Sequence, residues 1–149
     1  MAEHSSLTGA DLHEPKGVAS AASGKVYVAN GSGSGNWRNQ TMFLQERIDD
    51  VSNLGGELIA VPYAGTVTKI VIVVQGTVDV DTVLTATNAA GSSMGTATLL
   101  SANPDESVYT ITPASNNTIA DNSFMAIGSN GASTTAAIAY VTAVVEPSA

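Results

Sequence analysis

Residues able to do acid–base, nucleophilic or metal chemistry are few in this chain and widely spaced. It carries 2 His, at positions His4 and His13, with 13 Asp+Glu, 5 Lys+Arg and 0 Cys. Without cysteine there is no thiolate nucleophile, no thiolate metal ligand and no disulfide. Gly91-Ser92-Ser93-Met94-Gly95 matches the G-x-S-x-G string of hydrolases. A nucleophile elbow needs a strand, a sharp turn and a helix around its serine, and a histidine later in the chain. Both histidines come earlier, so the string reads as a glycine-flanked turn between strands. Asp79 and Asp81 alternate in Val78-Asp79-Val80-Asp81, which on a strand would put both carboxylates on one face. Such a pair could share a calcium ion, but calcium takes about 6–8 oxygens, and a solvated sheet face is the expectation. His4, Asp11, His13 and Glu14 could likewise meet at a metal, although polar contacts with a partner are the favoured use of an arm. Gly31-Ser32-Gly33-Ser34-Gly35 is glycine-rich like a phosphate loop, yet lacks the Lys-Ser/Thr ending and reads as a linker. A hydrolase using Asp79 or Asp105 would need a second carboxyl held close by in a pocket. No acid, base and nucleophile fall together, so no catalytic, cofactor or metal residues are expected.

The elements that would position these residues divide the chain in two. Residues 1–40 show neither a helical nor a strand period over Ser5–Gly24, and only Lys25-Val26-Tyr27-Val28-Ala29 alternates briefly before the Gly/Ser run. Such a segment builds no core of its own and is expected to be ordered by a partner. Residues 41–55 read as a short helix or connector, with Thr41 as its N-cap and Phe43, Leu44, Ile48 and Val51 on one face. Residues 56–149 read as β throughout, with strands expected near 57–62, 66–75, 78–87, 94–101, 106–112, 122–127 and 134–145. Turn signals such as Asn103-Pro104 and Asn116-Asn117 recur every 8–12 residues with no helix between. The fold class is therefore mainly β: an extended N-terminal arm plus an antiparallel β-sandwich, jelly-roll-like, body. Tyr27, Trp37 and Phe43 lie near the junction as apolar anchors for the arm, or as a sugar-stacking site.

Composition narrows the partners. Hydrophobic residues make up 44% of the 149, enough for one domain with a modest core, while charged residues are only 12% against about a quarter ordinarily. The net charge of −8 leaves few cations to displace counterions, so nucleic acid is excluded as a direct partner. The most apolar run, Ile70-Val71-Ile72-Val73-Val74, is too short to cross a bilayer. The opening Met1-Ala2-Glu3-His4 leads into neither a basic nor an apolar secretory region, so the sequons at Asn30, Asn39 and Asn116 are discounted. Residues 1–51 carry four cations and six anions, whereas residues 52–149 carry only Lys69 against seven carboxylates. The arm side is near neutral and the body is acidic.

Two segments carry a resemblance. Leu7-Thr8-Gly9-Ala10-Asp11-Leu12-His13-Glu14-Pro15-Lys16-Gly17-Val18, followed by Gly24–Gly31 and Gly33-Ser34-Gly35-Asn36-Trp37, resembles the N-terminal region of small virion proteins of tailed bacteriophages. These include head decoration (cement) proteins and head-fibre or tail-fibre-like proteins. Ile59–Ile70 with Gly76-Thr77-Val78 is similar to the opening hairpin of their β-sandwich. The resemblance implies a virion structural protein, assembled in the host cytoplasm, that binds the major capsid protein on the outer surface of the head and stabilises the shell as a homotrimer. It assigns capsid docking to the arm, through Leu12, His13, Glu14, Pro15, Lys16, Tyr27, Trp37 and Arg38. The alternative is a receptor- or carbohydrate-binding module associated with a tail or fibre, working through loops at 88–93, 103–106 and 129–133.

Overall fold

A computed structural model of the chain describes residues 25–29 and 35–148. The chain falls into two compact units, one ending at Gln40 and the other running from Thr41 to Ser148. The first unit contains β1 (Lys25–Ala29) and β2 (Gly35–Asn39), an antiparallel hairpin in which Tyr27 faces Trp37 and Val26 faces Arg38.

The second unit contains β3 (Met42–Ile48), β4 (Leu54–Val61), β5 (Gly65–Gln75), β6 (Thr82–Asn88), β7 (Ser93–Leu99), β8 (Ser107–Ile111), β9 (Thr118–Ile119), β10 (Ser123–Asn130) and β11 (Ile138–Pro147). They form two antiparallel sheets, in the orders β3-β11-β5-β8 and β4-β10-β6-β7, with the short β9 added to β5. Setting β9 aside, the first strand pairs with the last, the second with the second last, the third with the sixth, and the fourth with the fifth. That nesting is a long hairpin folded over on itself: a jelly roll. Between the sheets lies one apolar core, with Ile70, Ile72, Leu84, Leu99, Ile127 and Val141 all but inaccessible.

The strands form where period-2 patterns meet turn chemistry. The carboxamide oxygen of Asn88 accepts from the backbone N–H groups of Ala90 and Ser92, both at 3.0 Å, and Gly91 takes φ 77°. That combination closes the β6–β7 turn, so the G-x-S-x-G string lies at a hairpin turn between strands. β5 carries a bulge: Val145 pairs with Val67 and Val144 with Lys69, leaving Thr68 as the extra residue. Val67 and Ile70, three apart, therefore both reach the core.

Two expectations are corrected. The stretch expected to be helical is strand β3, paired with β11 from Met42↔Val145 to Ile48↔Ala139. Its core-side positions are Met42, Leu44, Glu46 and Ile48, and Glu46, at the sheet edge, interrupts the apolar alternation and leaves an apparent 3.6-residue period. Strand β6 begins at Thr82 and not at 78, because residues 77–81 form a loop tied down by its own side chains. Thr82 Oγ1 donates to the Val80 carbonyl at 2.9 Å within that loop.

Candidate interaction surfaces

Of the residues assigned to the arm, Leu12, His13, Glu14, Pro15 and Lys16 lie outside the described residues, as do His4, Asp11 and the Gly31–Ser34 linker. Tyr27, Trp37 and Arg38 are on the hairpin. The Tyr27 and Trp37 rings meet edge to face, with centroids 5.3 Å apart and planes at 64°, the geometry favoured by their quadrupoles. Val26 and Val28 point to the opposite face, where they are 41% and 44% exposed. Arg38, opposite Val26, shares that second face. Phe43 belongs to the other unit, on β3.

The carboxylates considered for chemistry serve as loop clips. Asp79 and Asp81 do not share a strand face. Asp79 Oδ1 accepts from Ser133 Oγ and the Thr134 N–H, each at 2.8 Å, and Oδ2 accepts from Thr134 Oγ1. Hydrogen bonds from Thr134, then Ser133, hold the Asp79 carboxyl far below the ordinary carboxylate range. Asp81 accepts from the backbone N–H (2.8 Å) and hydroxyl (2.9 Å) of Ser101, which lower its pKa as well. Asp50 is lowered by its bonds to Ser52. Asp105 accepts from the N–H of Gly76 at 2.6 Å and of Glu106 at 2.7 Å. Asp79, Asp81 and Asp105 each join separate loop segments, Asp50 closes its own turn, and the bonds that hold these carboxylates also occupy them. Among the described residues no group of three or more His, Asp or Glu side chains is placed to hold a metal ion. No helix among them is long and apolar enough to cross a membrane.

The outward face of sheet β3-β11-β5-β8 is the surface that sequence reasoning missed. Across it run the rows Arg47–Tyr140–Val73–Val108 and Phe43–Val144–Lys69. Phe43 is 69% exposed, Val108 64% and Tyr140 44%. The Arg47 guanidinium stands 6.0 Å from the Tyr140 ring centroid and bonds Asp49 at 3.0 Å, while the Tyr140 hydroxyl donates to Gln75 Oε1 at 3.1 Å. A signal for this face does exist in the sequence. The unbroken run Ile70–Val74 supplies apolar side chains to both sides of β5, as a strand covered on both faces does.

The outward face of the other sheet differs. Gly56, Gly128, Ala126, Thr85 and Thr87 line a shallow, small-residue depression. The exposed large apolar side chains of that face are Leu54 and Leu58 on β4 and Phe124 on β10. Compared with protein-family models and with curated proteins, the chain matches none.

Proposed function

We propose that the chain is a virion structural protein: a capsid decoration, or cement, protein that binds the outer surface of a tailed-phage head and stabilises the shell as a homotrimer. The observation that carries this reading is the division into a jelly-roll unit and a separate two-stranded ribbon. An isolated two-stranded hairpin is at best marginally stable in water. This one has an aromatic pair on one face and exposed valines on the other, and both are suited to burial against a larger surface. The arm, residues 1–40, then docks on the major capsid protein. Leu12, His13, Glu14, Pro15 and Lys16 contribute contacts, Tyr27 and Trp37 act as apolar anchors, and Arg38 as a charged one. The acidic jelly roll projects outward and repels polyanions. In this reading the protein has no catalytic, cofactor or nucleic-acid role and no membrane partner.

The test is co-sedimentation with phage shells that lack the protein. The full chain should bind, a chain beginning at Thr41 should not, and Trp37→Ala should bind at least about tenfold more weakly. Full decoration by the shortened chain overturns the arm's role. Binding to a glycan array without affinity for shells selects the tail- or fibre-associated carbohydrate-binding alternative.

A further inference from the structure

We infer that the free edge of strand β7 is a junction between two copies of this chain. β7 of one copy pairs antiparallel with β7 of the other about a two-fold axis, so that their β4-β10-β6-β7 sheets run on as one. The inference goes beyond the proposed function and does not depend on it: a two-fold contact makes no homotrimer and would join one assembly to the next. The edge strands of the jelly roll are β3, β8, β4 and β7, and three of them carry features that blunt strand pairing. Glu46 stands on the core side of β3. Glu57 alternates with the buried Ile59 and Val61, and so lies on the core side of β4. β8 is five residues long and is followed by Pro113. β7 differs: residues 82–104, which include both strands of its hairpin, contain no Asp, Glu, Lys, Arg or His. Its bulge, at Met94, is next to the turn and leaves Gly95–Leu99 in register with β6.

The backbone of this edge is only partly engaged. The Val83 N–H turns toward β10, where it donates to Asn130 Oδ1 at 3.0 Å. Val83 is opposite Thr98, and opposed residues of an antiparallel pair either exchange both backbone bonds or neither. Thr98 and, two residues away, Thr96 therefore turn their N–H and C=O groups away from β6, and β7 pairs with no other strand. The chain covers both ends of this edge itself. Asn116 Nδ2 donates to the Ser93 carbonyl at 2.9 Å, and the Leu100 N–H donates to the Tyr109 hydroxyl oxygen at 3.2 Å. Between those ends the outward backbone groups of Thr96 and Thr98 form a window, and both threonines are exposed.

A second copy fits that window because β7 is complementary to itself. With Ala97 on the axis, Thr96 of each copy comes opposite Thr98 of the other, and each such pair exchanges both of its N–H···O bonds. Thr–Thr pairs then fill the outer face, and the small Ala97 meets its symmetry mate on the inner one. Charge sets the direction. Asp81, bonded to Ser101, and Asp105 lie beyond the Leu99 end of β7, whereas the turn at its other end, residues 89–92, is uncharged. An antiparallel junction sets the acidic end of each copy beside the uncharged turn of the other. A parallel one would bring the two acidic ends together. For a chain of net charge −8, β7 is the edge at which two copies meet with least repulsion.

So short a contact belongs to the weak class. Sedimentation velocity of the full chain, without capsids, should show the mass doubling as concentration rises toward about 1 mM. Amide hydrogen exchange at Thr96 and Thr98 should slow over the same range. Two double variants, Thr96→Lys with Thr98→Lys and Thr96→Glu with Thr98→Glu, place like charges opposite each other across the axis. Each alone should retain less than about a tenth of the association constant. An equimolar mixture of the two should restore association, because lysines then face glutamates. Thr98→Pro, which removes an N–H that β6 does not use, should abolish it. Circular dichroism and the melting midpoint confirm that each variant stays folded. A native chain with no gain in mass up to about 1 mM, amide exchange that does not change, or a mixture no more associated than its components each overturns the inference. Association that survives Thr98→Pro overturns it as well.

Discussion

At Asp79 a carboxylate that alternation alone would place on a sheet face instead bridges from the β5–β6 loop to Ser133, Thr134 and Thr135, just ahead of β11. Its folded-state pKa is depressed, so its contribution to stability is complete above the unfolded value of about 4. That contribution fades as pH falls through the folded one. Asp50 and Asp81 are shifted in the same direction and add to the same acid limb. Calorimetry should therefore give a melting temperature that is nearly constant from neutral pH to about pH 5 and falls below about pH 4. Asp79→Asn should melt lower at neutral pH and lose less on further acidification. An acid limb as steep as that of the native chain would show that Asp79 is not its source. Gly56 makes a steric argument of the same scale. A Cβ there would sit 2.5 Å from the Ile127 carbonyl oxygen and 2.6 Å from Gly128 Cα, both backbone atoms of β10. Gly56→Ala should cost about 1–3 kcal/mol, read as a lower urea midpoint with an unchanged slope.

The bulge in β5 shows how an element reconciles sequence with core. Val67 and Ile70 are an odd number of residues apart, so a regular strand would send one of them to water; Thr68, the unpaired residue, lets both face inward. Deleting Thr68 should strand one large apolar side chain, or force β5 to slip against β11. Exposing such a side chain alone is worth about 1.5–3 kcal/mol, and a chemical-denaturation midpoint measures the loss. Tolerance of the deletion would mean that the bulge moves freely along the pair. The same element explains what was legible in advance. Alternation in β5 and β8, and turn residues such as Gly91, are local, and the strands expected at 66–75 and 106–112 differ from β5 and β8 by only one residue at an end. β3 was not legible as a strand, because Glu46 occupies a core-side position that only its place on a sheet edge permits. Nor was the loop at 77–81, where the decisive partners of Asp79 are more than fifty residues away. The nested pairing that defines the jelly roll depends on such distant contacts throughout. The exposed face carrying Arg47 and Lys69 appears only once that pairing sets β3, β11 and β5 side by side.

For the whole molecule, the division at Gln40 and Thr41 makes the arm and the jelly roll separable observables. Trp37 is the sole tryptophan of the chain and lies in the first unit, while the large strands and the core lie in the second. Tryptophan fluorescence therefore reports the hairpin, and far-ultraviolet circular dichroism is dominated by the jelly roll. A small single domain would give coincident transitions with both probes. Here a two-stranded ribbon with one aromatic pair melts against a body with a shared core, and the two should not coincide. On addition of urea, fluorescence should change first and over a broad range, with the circular dichroism transition later and sharp. Leu84→Ala, which empties a fully buried core position, should cost about 2–5 kcal/mol and move the circular dichroism midpoint while leaving the fluorescence curve in place. Trp37→Tyr, which keeps an aromatic pair at the cost of the fluorophore, should leave the circular dichroism midpoint unchanged. Coincident native transitions that shift together in Leu84→Ala would mean that the ribbon is anchored on the jelly roll of its own chain. That would remove the reason to look for its docking surface on another protein. Separate transitions that merge only when phage shells are added would locate the missing stabilisation in the shell itself.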